Sequence, residues 1–432
     1  MMNPLAVELN ETLRRENPRA FGMLSELGKN LFFPKGILTQ TAEAKQKAKL
    51  YNATIGIAKE NGQAMHLHSV MRHFADLGPD DVLPYAPAMG HPDLRAKWEA
   101  LILEKNPSLG AGTFSLPVVT SGITHGLSIV ADMFVEPDDP VLLPEMYWGN
   151  YNMIFGVRRG AAVGLYPFFT TDGKQLDTEG FRRAVLARAD RKIVFVLNFP
   201  NNPSGYSVTE AEAEAICETF EEAAQRGSDV IVVCDDAYFG LFYEPEVLRE
   251  SIFARLAGRH NGIFAVKLDG ATKEDYVWGL RVGFITFAVS PANRNFYEAM
   301  EKKTGGLIRG TISNCPQHSQ SILLGAMSDG DYAKEREQKL AVLKARAAKV
   351  KEVLAQERFA GVWTPYPFNS GYFMCLKLHS IDSEAFRVRL LEHYGIGVIA
   401  TRETDVRIAF SCLEEGEIPD LFDVMYRCAK NM

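Results

Sequence analysis

The chain has 432 residues, of which 47% are hydrophobic and 23% charged, and a formal net charge of −7. That is an ordinary globular composition on a chain too long for one simple core, so two domains are expected. It excludes two partners: no basic run is long enough to track a phosphate backbone, and no apolar run approaches the ~20 residues that span a bilayer.

In chain order, the opening stretch "MMNPLAVELNETLRREN" lacks the apolar core of a signal peptide. The six cysteines (Cys217, Cys234, Cys315, Cys375, Cys412 and Cys428) are scattered and form no Cys-x-x-Cys pair. A disulfide framework or zinc site is therefore not expected, and the expected location is the cytoplasm. The first fifty residues read as helix and loop, broken at Pro18 and at "FFPKG". His66 and His68 stand one residue apart with no third ligand nearby, so no metal site is expected.

From about residue 110 to residue 290 short apolar runs recur: "LPVVT", "PVLLP", "AVGLY", "KIVFVL", "DVIVVC", "IFAVKL" and "VGFITF". Each has strand length and most lack alternation, the pattern of strands buried on both faces of a mostly parallel sheet. Helical segments such as "GITHGLSIVADMF" and "EAEAEAICETFEEAAQRG" lie between them, which predicts a doubly wound α/β sheet of seven strands. Beyond residue 330, Leu340, Leu343, Ala347, Val350 and Leu354 recur at helical spacing in a charged segment. This predicts a long helix packed across a smaller α/β unit, which "GYFMCLKL" and "VRIAFSCL" continue.

Ligands of open α/β sheets sit beyond the carboxyl ends of the strands. Five such ends carry chemistry here. "SGITHG" is a small turn opening a helix, suited to a phosphate. "EMYWGNY" presents aromatics, "NFPNNPSG" amides, "DDAYFG" a carboxylate with a tyrosine, and "DGATK" a lysine. Singly each has a plain structural reading: a solvated lysine, a turn asparagine, a core aromatic. The ordered series Asn-Pro-x-Gly, Asp-x-Ala-Tyr, Lys, Arg-x-Gly is far more specific.

From about residue 52 to residue 412 the chain resembles the class I/II aminotransferases, pyridoxal-phosphate enzymes of fold type I, and within them the aspartate aminotransferase group. The resemblance implies a large cofactor-binding domain at residues 51–325 and a small C-terminal domain at 326–432. Residues 1–50 supply an N-terminal arm and part of the small domain, which is thus built from both chain ends.

The resemblance also assigns roles. Lys273 matches the lysine that holds pyridoxal phosphate covalently, as a Schiff base, and Asp235 the partner of the protonated pyridine nitrogen. Spacing to Tyr238 selects Asp235 over Asp236, which is left as a solvated neighbour or helix cap. Asn202 and Tyr238 match the pair that binds the ring's phenolic oxygen. Trp148 matches the stacking aromatic, with Tyr147 one residue away in register. Gly122, Ile123, Thr124 and Arg281 match the phosphate cradle, with Thr272 as a possible hydroxyl donor. His125, inside that turn, reads as structural. Tyr85 matches a tyrosine that reaches the phosphate of the facing subunit, which implies a homodimer with shared active sites.

Arg407 matches the arginine that holds the substrate α-carboxylate. Gly56 is grouped with the substrate-binding residues, and Asn369, Ser370 and Gly371 are expected nearby. Arg309 in "LIRGTISNCP" matches an arginine, supplied by the neighbouring subunit, that reads a distal carboxylate. Ser313 and Asn314 keep the family spacing after it. The implied reaction moves an amino group from a dicarboxylic amino acid, aspartate or glutamate, to a 2-oxo acid by a ping-pong route.

Three departures stand out: Gly270 replaces a serine, Cys315 replaces a proline, and "EDYVW" after Lys273 is bulkier and more charged than the usual linker. β-Elimination, decarboxylation and cyclisation use the same cofactor motifs and remain alternatives. A non-catalytic amino-acid sensor is a more distant one, because such proteins carry a basic winged helix ahead of the body. A plain nucleotide-binding domain needs a fuller glycine fingerprint than "SGITHG".

Overall fold

The seven expected strands form a single sheet. In the computed structural model, which describes residues 2–34, 36–188 and 191–432, they are β1 (Val118–Thr120), β2 (Pro140–Pro144), β3 (Ala162–Tyr166), β4 (Ile193–Asn198), β5 (Val230–Asp235), β6 (Ile263–Asp269) and β7 (Gly283–Val289). Their spatial order is β1-β7-β6-β5-β4-β2-β3. β1, β2, β4 and β5 are buried along their whole length, which is why they show no alternation. β3 closes one edge and is correspondingly more exposed.

All neighbours are parallel except around β7, which runs antiparallel to both β1 and β6. This one reversal matters for the site. The start of β7, not its end, lies at the ligand edge of the sheet, so Arg281 just before it points to the same edge as Lys273 just after β6.

Local chemistry sets the flanking helices. Glu210–Gln225 opens with a capping box in which Thr209 Oγ1 accepts from the Glu212 N–H and Glu212 Oε2 accepts from the Thr209 N–H at 2.8 Å. Ile123–Phe134 opens instead on Gly122, at φ 78°, with no side-chain cap. The His125 and Gly126 N–H groups turn back onto the Gly122 carbonyl, which leaves those of Ile123 and Thr124 to face a ligand.

The expected long helix is Tyr332–Leu354, 23 residues, burying Leu343, Ala347 and Val350. It supports an antiparallel sheet built from Trp363–Pro365, Met374–Leu378, Asp405–Ile408 and Ile399–Arg402. Both ends of the chain meet here. Tyr51–Asn52 pairs in parallel with Ile396–Gly397. The Gln40 amide, on helix Ile37–Lys47, bonds both the N–H and the carbonyl of Ala400. Among the described residues no helix is long and apolar enough to cross a membrane.

Candidate active site

A cavity of about 240 Å³ opens at the carboxyl ends of β4, β5 and β6. Its lining gathers residues far apart in sequence, among them Gly56; Ile123 and Thr124; Trp148; Asn202; Asp235 and Tyr238; Thr272, Lys273 and Arg281; and Arg407 from the small sheet. Three cations, Lys273, Arg281 and Arg407, face a single carboxylate, Asp235. Such a surplus of positive charge in a concave site favours an anionic ligand.

Lys273 Nζ donates to the Gly56 carbonyl at 2.7 Å. Burial first, then the neighbouring Arg407 and Arg281, bring its pKa down to about 7. An amine poised there is neutral in a large fraction of molecules near neutral pH, as a nucleophile or proton acceptor must be.

Asp235 is the mirror case. Burial raises it to about 6, against the hydrogen bonds from the Tyr151 hydroxyl (2.6 Å) and the Ala237 N–H (3.2 Å) that favour its ionised form. A cationic group brought against it lowers its pKa and ionises it fully.

Successive strand side chains point to opposite faces, and this separates Asp235 from its neighbour. Asp236 faces away and is not solvated: it is buried in an ion pair with Lys267 and accepts from Ser251 Oγ at 2.6 Å.

Arg407 Nη1 donates to Asn202 Oδ1 at 3.0 Å and Nη2 to the Thr54 carbonyl at 2.8 Å. Its guanidinium lies 4.1 Å from the centroid of the Phe373 ring, and its buried Nε has no partner among the described residues. No carboxylate of the described residues pairs with Arg407 or with Arg281. Arg407, buried in this state, is a receptor for an anion, while Arg281 is exposed at the mouth of the cavity.

Thr272 and Arg281 stand on one side of the lysine turn and Ile123 and Thr124 on the other. Between them three glycines bring backbones into contact. A Cβ on Gly122 would lie 2.5 Å from Arg281 Nη2, and one on Gly283 would lie 2.8 Å from the Gly122 carbonyl carbon. A Cβ on Gly270 would lie 2.7 Å from the Val282 carbonyl oxygen and 2.8 Å from Gly283 Cα. The serine expected at position 270 by resemblance has no room here, because β7 approaches too closely. Gly270→Ser is therefore expected to destabilise the protein by about 1–3 kcal/mol through overpacking and to weaken cofactor retention. Thermal melts and a pyridoxal phosphate titration measure both, and unchanged melting would contradict the packing argument.

Other residues fall outside the cavity. Tyr147 and Trp148 both pack against the apolar core beside the sheet, and of the two Trp148 lines the cavity. His125 Nδ1 accepts from the Ser121 N–H at 3.1 Å, a local turn contact. Asn369, Ser370 and Gly371, expected near the substrate, do not line it. Asn369 and Ser370 hold the Gly205–Ser207 turn through backbone and side-chain hydrogen bonds, so they are scaffold. Tyr85 is 90% exposed, and Arg309 lies on the exposed face of helix Arg294–Thr311, its Nη1 bonded to Ser313 Oγ. Neither lines the cavity. Among the described residues no cluster of metal-ligating side chains is present.

Sequence reasoning missed Tyr151, Asn198, Phe373 and Ile37, all of which line the cavity. Tyr151 is fully buried, and its hydroxyl fixes Asp235. Asn198 Nδ2 donates to the Asp235 carbonyl and its Oδ1 accepts from the Asn202 N–H, joining two of the strand-end motifs.

These residues fit pyridoxal phosphate. Arg281 and the open helix turn suit its phosphate, buried Asp235 a protonated ring nitrogen, Lys273 its aldehyde carbon, and Arg407 an incoming carboxylate.

The family profile for aminotransferase class I and II matches residues 51–424. The chain is similar to an arginine–pyruvate transaminase of Pseudomonas aeruginosa, 25% identical over 66% of this chain and 65% of that protein. It is also similar to the cytoplasmic aspartate aminotransferase of Saccharomyces cerevisiae, 23% identical over 54% and 55%. It thus spans less than two thirds of either relative. Its fold is that of an aminotransferase of Anaerococcus prevotii, with a TM-score of 0.81 at 22% identity, covering 94% of this chain and 99% of that one. The chain belongs to the class I and II aminotransferases, a pyridoxal-phosphate-dependent family.

Proposed function

We propose that the protein is an aminotransferase that moves the amino group of a dicarboxylic amino acid, aspartate or glutamate, to a 2-oxo acid. The observation that carries the reading is the amine of Lys273, held near neutrality between Asp235 and two arginines that lack a protein carboxylate. When bound, pyridoxal phosphate supplies the electron sink for the reaction.

The chain's own residues do the rest. Arg407 grips the substrate α-carboxylate with its fork, and Asn202 holds the fork in plane. This aims the substrate Cα–H at Lys273 Nζ, which takes that proton and returns it elsewhere on the same ligand. Asp235, oriented by Tyr151, keeps the ring nitrogen protonated. Trp148 and Phe373 cover the site with apolar surface and limit water.

The relatives are named for arginine and for aspartate, so membership of the family leaves the side-chain preference open. The dicarboxylate reading rests on Arg309. Its exposed position, with that of Tyr85, suits a residue that works in the cavity of a second copy, so the reading includes a homodimer with shared sites.

The test adds amino acids singly to the holoenzyme and follows the cofactor's absorbance for conversion to the pyridoxamine form. Aspartate and glutamate are expected to convert it with the highest kcat/KM. In Arg309→Leu, kcat/KM for aspartate is expected to fall about 10²-fold or more, the loss of one charge-assisted pair, while alanine is unaffected. An unchanged value for aspartate removes the dicarboxylate reading. Release of ammonia or carbon dioxide without conversion points instead to a lyase.

A further inference from the structure

The two residues after Lys273 are both carboxylates, Glu274 and Asp275, and both are largely shielded from water. Two bare negative charges so near would hold the lysine amine protonated. They do not stand bare. Glu274 pairs with Lys105 Nζ at 2.5 Å, from helix Pro92–Lys105, and with Arg336, from the long helix Tyr332–Leu354. Asp275 lies 2.9 Å from Arg336 Nε and accepts from the Tyr332 hydroxyl at 2.7 Å. The Glu274 carboxylate lies against Gly240, whose missing side chain leaves it the space. The cluster holds two carboxylates and two cations. Burial alone would raise Glu274, but Lys105 and Arg336 outweigh it and hold it below the usual carboxylate range, whereas at Asp275 burial outweighs Arg336 and raises it.

On its other side Lys273 faces Arg407, Arg281, Asp235, the Cys412 thiol, the Tyr238 and Tyr372 rings and the Gly56 carbonyl. The Lys273 carbonyl accepts from Tyr372 at 2.6 Å, which anchors the turn between the two environments.

We propose that Lys105 and Arg336 are positioning residues for Lys273: they cancel the charge of Glu274 and Asp275 and clamp the turn, so that only the cavity side governs the lysine amine. This gives the charged "EDYVW" segment a task. It is a neutralised anchor that ties the lysine turn to the helix supporting the small sheet. The inference rests on Lys273 being the working amine of the proposed transaminase. Its test reads the amine itself, not turnover, so it can fail while that reading stands.

The full-length protein, stripped of pyridoxal phosphate, is labelled competitively with trace acetic anhydride from about pH 6 to pH 10, and the Lys273 peptide is quantified by mass spectrometry. In Arg336→Met the midpoint of Lys273 labelling is expected to rise by about half to one pH unit, the effect of one uncompensated nearby charge. Arg336→Lys is expected to restore it. Glu274→Gln leaves an excess cation and shifts the midpoint the opposite way. Lys105→Met, nearer the surface, gives the same upward shift if the Arg336 variant does not fold. A midpoint that stays in place in Lys105→Met and Glu274→Gln while melting temperatures fall assigns the cluster a structural role alone and overturns the proposal.

Discussion

Lys273→Ala is expected to lower turnover by at least about 10⁴-fold, because one change removes both the nucleophile and the proton-transfer base. The fold is expected to survive it. The contact that fixes the turn, from the Tyr372 hydroxyl, goes to the backbone carbonyl of residue 273 and outlasts the side chain. The variant without cofactor is also expected to be more stable than the parent at low pH. In the folded parent the amine titrates near 7, against 10.5 ordinarily. Below about pH 7 the folded protein carries a charged amine in a poorly solvated place and bears the full cost. Between about 7 and 10.5 the unfolded chain binds a proton that the folded chain has released, so the stability of the parent climbs with pH. The advantage of the variant is therefore largest below pH 7 and disappears above about 10.5. Melting curves across pH, beside single-turnover assays, check both halves. Appreciable turnover by Lys273→Ala would refute the assignment.

Arg407→Met is expected to cost about 10²–10³ in kcat/KM for every amino acid tested, whatever its side chain. The α-carboxylate is common to all of them, and losing a forked, charge-assisted pair is worth about 3–4 kcal/mol. Lysine is a poor replacement. It has the charge but not the planar fork that spans Asn202 and the Thr54 carbonyl while lying on Phe373. Cofactor retention should change little, since the residues proposed for its phosphate, Arg281 and the turn at Gly122, are left unaltered. A loss confined to aspartate and glutamate would move Arg407 from the α-carboxylate to the side chain.

The two variants differ from Arg309→Leu in what they spare, and that contrast reflects how legible each part of the site is in the sequence. The seven strands are readable because each is an apolar run of strand length, buried in all but the edge strand β3, and the motifs sit on the turns that close five of them. The reversal of β7 was not readable, because a run such as "VGFITF" has the same composition in either direction. Tyr151 stands within "EMYWGNY" but has no legible role there, because its partner Asp235 is 84 residues away and nothing local separates it from a core tyrosine. The Asn369–Gly371 turn was placed wrongly for a related reason. Its polar groups are consumed by the backbone at Gly205 and Ser207, and a sequence does not say which amides are already spent. Asp236 reads as a solvated neighbour or helix cap in the sequence because its partner Lys267 sits on the adjacent strand.

The pairing of Tyr51–Asn52 with Ile396–Gly397 also sets an order of assembly. A chain made from its N-terminus has the lysine turn, Asp235 and Arg281 long before Arg407 exists, and Arg407 then docks on a carbonyl 353 residues upstream. Contacts so distant in sequence close slowly. The residues proposed to hold the cofactor thus precede in synthesis the one proposed to hold the amino acid. A nascent chain arrested before Arg407 offers a way to separate the two abilities in time.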